Sequence, residues 1–199
     1  MSFAEIYLRE RGITEQTIRS YGLELDAFLA NKKARTRLGR SLAGYGVAEI
    51  IWFPLYDQGG KLISYIARIL PSITGLPKFL SPAGSDGPPY IPSGVYNLKH
   101  GLPIIVTEGP VKALACVQAG FAAIGLNGVW GASLKNAAGL YVIRADLGAA
   151  LEWRGRKVYV AFDVDAESNP DVRQALVRLF LVLSAQGAEV FRMSWGLER

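Results

Sequence analysis

The chain has 199 residues, half of them hydrophobic and 20% charged, with a formal net charge of +5. That is the composition of a globular protein with a real core, and it argues against a disordered segment. With one cysteine and one histidine, an internal disulfide and a Cys/His zinc site are both excluded.

No run of about 18 apolar residues occurs, so no membrane span is expected. The first residues, MSFAEIYLRERG, are charged early and lack the apolar centre of a signal peptide. A cytoplasmic location follows as the default. The moderate positive charge permits a polyanionic partner without requiring one.

In chain order, residues 3–11 and 14–21 read as two short helices. Phe3, Ile6 and Tyr7 give the first an apolar face. Thr14 suits the N-cap of the second, with Ile18 and Tyr21 facing inward. So short a pair must pack on something larger. The run NKKARTRLGR then carries Lys32, Lys33, Arg35, Arg37 and Arg40 without an acid. It reads either as a solvated basic loop or as a phosphate-contact patch.

Residues 49–70 read as a β-hairpin, two strand-like runs around the Asp57-Gln58-Gly59-Gly60 turn. Arg68 falls on the second strand, from which it is expected to project. Residues 74–97, rich in proline and glycine, read as a long loop that includes Lys78. An α/β unit begins at Leu102. The run PIIVTEG is a buried strand ending in Glu108-Gly109, where the glycine suits a tight turn. Pro110 opens a helix that holds Cys116 in its apolar pattern and stops at Gly120. His100 sits in a polar turn without a role.

A second strand, Phe121 to Leu126, leads to the turn 127–131, whose backbone amides are expected on the Glu108 edge. A variable stretch follows, with a possible strand over 140–143 and a short helix near 145–152. Arg154, Arg156 and Lys157 lead into VYVAFDVD, a strand ending in Asp163 and Asp165. Glu167 reads as a solvated turn residue. Asn169 and Pro170 form a helix start, and Val172, Leu176, Leu179, Phe180 and Leu183 form the buried stripe of that helix. Gly187 stops it, and a last strand runs over 188–193.

In open α/β sheets the ligand site lies beyond the carboxyl ends of the strands. Glu108, Asp163 and Asp165 therefore converge on one sheet edge. Three carboxylates there need a cation, and an all-oxygen set suits Mg2+ or Mn2+. Singly, each acid also fits a helix cap or a solvated turn residue.

A strand–Glu-Gly–helix unit followed by a strand–Asp-x-Asp–helix unit resembles the Toprim domain of bacterial primases, topoisomerases and OLD-type nucleases, over residues 102–195. TEGPVKALACVQAGFAAIGLNGVWG with FDVDAESNPDVRQALVRLFLVLSAQGAEV is similar to the primase-associated Toprim group of plasmid and phage replication proteins. The helix pair, the hairpin and the K-F-L-S-P loop resemble the segment that precedes Toprim in bacterial primase cores. Lys112 departs from the pattern, because those primases have an acid at that position.

The resemblance implies an α/β fold: a Toprim-like, mostly parallel sheet flanked by helices over 102–199. Before it come a helical segment with the basic run over 1–48 and a hairpin with the loop over 49–101. It implies a primase-like protein of replication in a mobile element, carrying out nucleotidyl transfer on single-stranded DNA in the cytoplasm. Asp163 and Asp165 would bind Mg2+, Glu108 would complete the metal site or act as base, and Lys112 would contact a phosphate or pair with Glu108. Arg68, Lys78 and the 32–40 cations would contact template or nucleotides, and a replicative helicase is a possible partner. Two alternatives use the same residues: a non-catalytic nucleic-acid-binding or helicase-associated module, and a Toprim nuclease.

Overall fold

The computed structural model describes residues 2–27, 47, 49–81, 87–163 and 169–194. The basic run 32–40, Asp165 and Glu167 lie outside the described residues. The chain divides into two units, Met1–Gly87 and Pro88–Arg199.

The first unit opens with α1 (Phe3–Arg9), started by a capping box in which Ser2 and Glu5 satisfy each other's backbone amides. Next comes α2 (Glu15–Ser20), with Thr14 as the expected N-cap. Four antiparallel strands follow in the order β1 (Glu24–Ala27), β2 (Glu49–Tyr56), β3 (Leu62–Leu70) and β4 (Phe79–Leu80). The hairpin β2–β3 is present as expected, closed by Gly60 N–H donating to Asp57 O at 3.0 Å.

The face that α1 buries differs from the one read in the sequence. Ala4 and Leu8 are fully buried, whereas Phe3 and Ile6 are exposed. The hairpin sets this register. Glu49 Oε2 on β2 accepts the Ala4 amide at 2.7 Å, which turns the i, i+4 pair Ala4/Leu8 inward. In α2 it is Thr17 that is buried, with Ile18 half-buried beside it.

The second unit is an α/β layer. Its sheet has the order β10 (Glu189–Arg192), β9 (Lys157–Ala161), β5 (Ile104–Thr107) and β6 (Ala123–Gly125), and every neighbouring pair is parallel. Helix α3 (Pro110–Gln118) connects β5 to β6, and α5 (Pro170–Ala185) connects β9 to β10. Between them lie a two-stranded antiparallel piece, β7 (Ser133–Lys135) with β8 (Tyr141–Ile143), and α4 (Ala145–Ala150). Helices on the crossovers of a parallel sheet are what the βαβ pattern requires. This is the expected α/β, Toprim-like fold.

One sheet face carries Ile104, Val106, Ile124, Val158 and Val160, packed with Leu176, Leu179 and Leu183 of α5. These are the residues that the strand and helix periodicities place inward; Val172 and Phe180 pack on the cluster half-buried. The expected loop 74–97 is more structured than its composition suggests. It contains β4, a 3-10 turn over Ser93–Val95, and Tyr90, which bridges to Gly125 through both backbone bonds, at 2.7 and 2.9 Å. Cys116 is half-buried rather than in the core.

Candidate functional site

The pairing of β5 with β9 sets Thr107 beside Ala161, so Glu108 and Asp163 leave the sheet at its carboxyl edge from adjacent strands. Their side chains meet there. Glu108 Oε1 accepts the backbone N–H of Asp163, and its other oxygen accepts the Lys112 ammonium. Lys112 stands on the first turn of α3, four residues after Glu108, which precedes the extended N-cap Gly109 and reaches back over that turn. Its Nζ also meets Asp163 Oδ1 at 2.5 Å. One ammonium thus bridges two carboxylates.

Burial alone would lower the Lys112 pKa. Hydrogen bonds to Asp163 and Glu108, with the charges of both acids, outweigh it and hold the ammonium above the ordinary lysine value. Glu108 is the more enclosed acid, its side chain 16% exposed against 64% for Asp163.

The backbone under Glu108 is fixed from the β6 side. Leu126 N–H donates to Thr107 O at 2.8 Å and Gly128 N–H to Glu108 O at 3.0 Å. The turn after β6 therefore spends an amide holding Glu108 in place. The buried Thr107 hydroxyl donates to Gly109 O at 3.2 Å and is also within 3.4 Å of Ile124 O. Gly109 itself is extended, with φ −164°, a backbone any residue adopts, so the bend over Glu108 and Gly109 does not call on a glycine's freedom. The glycine the geometry requires is Gly125. A Cβ there would lie 2.5 Å from Gly109 O and 2.9 Å from Pro110 N. No sequence signal marked Gly125 or Thr107, because each is needed by a neighbour distant in the chain.

Among the described residues no group of three potential ligands stands ready for a metal ion. Glu108 and Asp163 form an oxygen-only pair at the edge where Asp163 leads toward Asp165, a donor chemistry that fits a hard divalent cation. The Lys112 ammonium now takes the bridging position between them.

The cations of the first unit behave differently from one another. Arg68 does not project freely from its strand. It is 5% exposed, set over the rings of Tyr7 and Phe79 at 4.9 and 5.2 Å, with Nη2 donating to Ser72 Oγ at 2.9 Å. Its Nε and Nη1 are buried with no hydrogen-bond partner, and burial lowers its pKa. Lys78 is exposed.

Solved structures share this fold. The Aquifex aeolicus primase, with zinc-binding and RNA polymerase domains, superposes with a TM-score of 0.62 at 15% identity, over 96% of this chain and 49% of that one. The RNA polymerase domain of Mycobacterium tuberculosis primase DnaG gives 0.60 at 16% identity, over 98% and 69%. A DnaG primase catalytic domain bound to ssDNA gives 0.59 at 19% identity, over 98% and 64%. The chain thus spans about half of the Aquifex protein and roughly two thirds of the other two. No curated protein matches it. One family model does, over residues 95–199, more than half of the chain, and by that match the chain belongs to DUF3854, a family described as a domain of unknown function.

Proposed function

We propose that this chain is the catalytic core of a primase-like enzyme, performing metal-dependent nucleotidyl transfer on a single-stranded DNA template. The observation that carries the reading is the convergence of Glu108 and Asp163 at the carboxyl edge of β5 and β9. The superposition on primase cores over nearly the whole chain supports it. Replication in a plasmid or phage setting, with a helicase as partner, belongs to the same proposal.

Glu108, Asp163 and Asp165 would hold Mg2+ or Mn2+. Bound there, the ion would supply charge neutralisation at the transferring phosphoryl group. The protein's own residues do the rest. Glu108, whose backbone carbonyl is held by the Gly128 amide and whose carboxylate is held by the Asp163 amide, would either complete the metal site or accept a proton from a 3′-hydroxyl. With a cation held by the acids, Lys112 would be released from Glu108 and Asp163 and would contact a phosphate oxygen. Lys78 and the 32–40 cations are the proposed contacts to template or nucleotide phosphates, whereas Arg68 is too buried to serve as one.

A second reading has its own observation. Lys112 already offsets one of the two negative charges of Glu108 and Asp163, which lessens the site's need for a metal. That favours a non-catalytic nucleic-acid-binding module.

The test incubates the protein with nucleotides, unlabelled template and Mg2+ or Mn2+, and separately with end-labelled single-stranded DNA. Glu108→Gln and Asp163→Asn run alongside on a denaturing gel. New short products that vanish in both variants are the expected result. Shortened DNA lost in the same variants makes the chain a nuclease instead. Binding without either product leaves the module reading.

A further inference from the structure

The turn that holds the Glu108 carbonyl also carries an aromatic residue with no part in the chemistry above. Gly128 N–H donates to Glu108 O, and Gly131 N–H closes the turn on Gly128 O at 3.0 Å. Trp130 stands inside this turn and is 38% exposed. The Arg178 guanidinium of α5 lies 4.3 Å from its ring centroid and 3.5 Å from that of Tyr141 on β8. On the next side of Tyr141, Lys135 Nζ of β7 is 5.4 Å from the same centroid. Tyr141 is 42% exposed. Aromatic and cation therefore alternate along the surface: Trp130, Arg178, Tyr141, Lys135.

Among the described residues no carboxylate forms an ion pair with Arg178 or Lys135, so their charge is uncompensated. Leu134 and Val142, paired one step along the same hairpin, alternate to its other face and are exposed there. A protein–protein interface also favours tryptophan, tyrosine and arginine, but it is depleted in lysine. A surface of π-faces and unpaired cations instead suits a chain of bases and phosphates, since every base has a face to stack and every linkage an anionic oxygen.

We propose that this ladder is a stacking platform for the bases of single-stranded nucleic acid, guiding the strand toward the turn beside Glu108. It rests on the reading above and names the surface that would grip the template. Trp130, partly exposed, would offer its ring to a base. Arg178 holds that ring in place and presents its remaining N–H groups to the backbone.

The experiment is fluorescence anisotropy on the full chain with a dye-labelled oligo-deoxythymidine and with an abasic strand of equal length and charge. Trp130→Leu is expected to weaken oligo-deoxythymidine binding by at least about fivefold, the lower end for one stacked base. Binding of the abasic strand is expected to stay unchanged, and Trp130→Phe to restore the thymidine affinity. Because a leucine in this turn could disturb folding, an iodouracil-substituted strand is also photocrosslinked to the unaltered protein, with adducts expected on Trp130 or Tyr141. The proposal falls if Trp130→Leu binds both strands as the wild type does, or if it loses both equally. It also falls if adducts form only elsewhere, if the wild type binds no single strand, or if the variant changes only self-association in sedimentation. Product formation with unchanged affinity in Trp130→Leu removes the platform and keeps the catalytic reading. A base-dependent loss in a protein that makes no product does the reverse.

Discussion

Replacing Lys112 by methionine should tighten divalent-cation binding. The ammonium meets one oxygen of Glu108 and one of Asp163, so the two carboxylates lie within about 5 Å of each other. Two like charges at that separation repel by about 0.8 kcal/mol in water and by about 3 kcal/mol at an effective dielectric constant near 20. Asp163 is largely exposed and Glu108 largely enclosed, so a value between these limits, about 1–2 kcal/mol, is reasonable. In the variant that repulsion is unrelieved until a cation arrives, and the bridging position is open. Calorimetric titration should then show Mg2+ or Mn2+ binding roughly tenfold tighter than in the wild type. Without metal the variant should melt lower, and Mg2+ should recover most of the loss. Adding Asp163→Asn to Lys112→Met should abolish the gain. Equal or weaker cation binding by Lys112→Met would refute the idea that lysine and metal compete for one position.

Gly125→Ala sets a Cβ 2.5 Å from a backbone oxygen, where no side chain can swing aside, so chemical denaturation should show a loss of about 2–3 kcal/mol. The displaced β5–α3 turn should also weaken any metal binding at Glu108. Arg156 is 1% exposed and donates to the carbonyls of Glu152, at 2.8 Å, Lys99, at 3.2 Å, and Leu102. Arg156→Met should cost about 3 kcal/mol in the same assay, whereas Arg154→Met, at an exposed position, should cost less than about 0.5 kcal/mol. Burial raises the Cys116 thiol pKa, so the thiolate is scarcer than in the unfolded chain. Alkylation of the native protein at pH 8 should be markedly slower than in denaturant, and the gap should narrow as pH rises toward the native pKa.

The parts of this molecule that could be read from the sequence are those whose cause is local. Strands β5 and β9 announce themselves as apolar runs, and their acidic ends follow from the rule that places ligands at the carboxyl edge. The Asn169–Pro170 start of α5 and the Thr14 cap of α2 are likewise short-range signals, and both are where they were expected. What stayed hidden is set by partners far along the chain. Gly125 is obligatory only because the Gly109–Pro110 backbone passes over it. Arg156 looks like one member of a basic surface run, yet it is the buried clamp that ties residues 99 and 102 to the start of β9. Trp130, Tyr141 and Arg178 come from three elements and gain meaning only when packed together. Lys112 falls between the two cases. Its i, i+4 spacing from Glu108 is visible in the sequence, but its contact with Asp163 needs the pairing of β5 with β9. That second contact decides the chemistry. A lysine paired with one acid adjusts its charge, whereas a lysine shared by two stands between them, so that on the proposed reading metal binding and lysine release would be a single event.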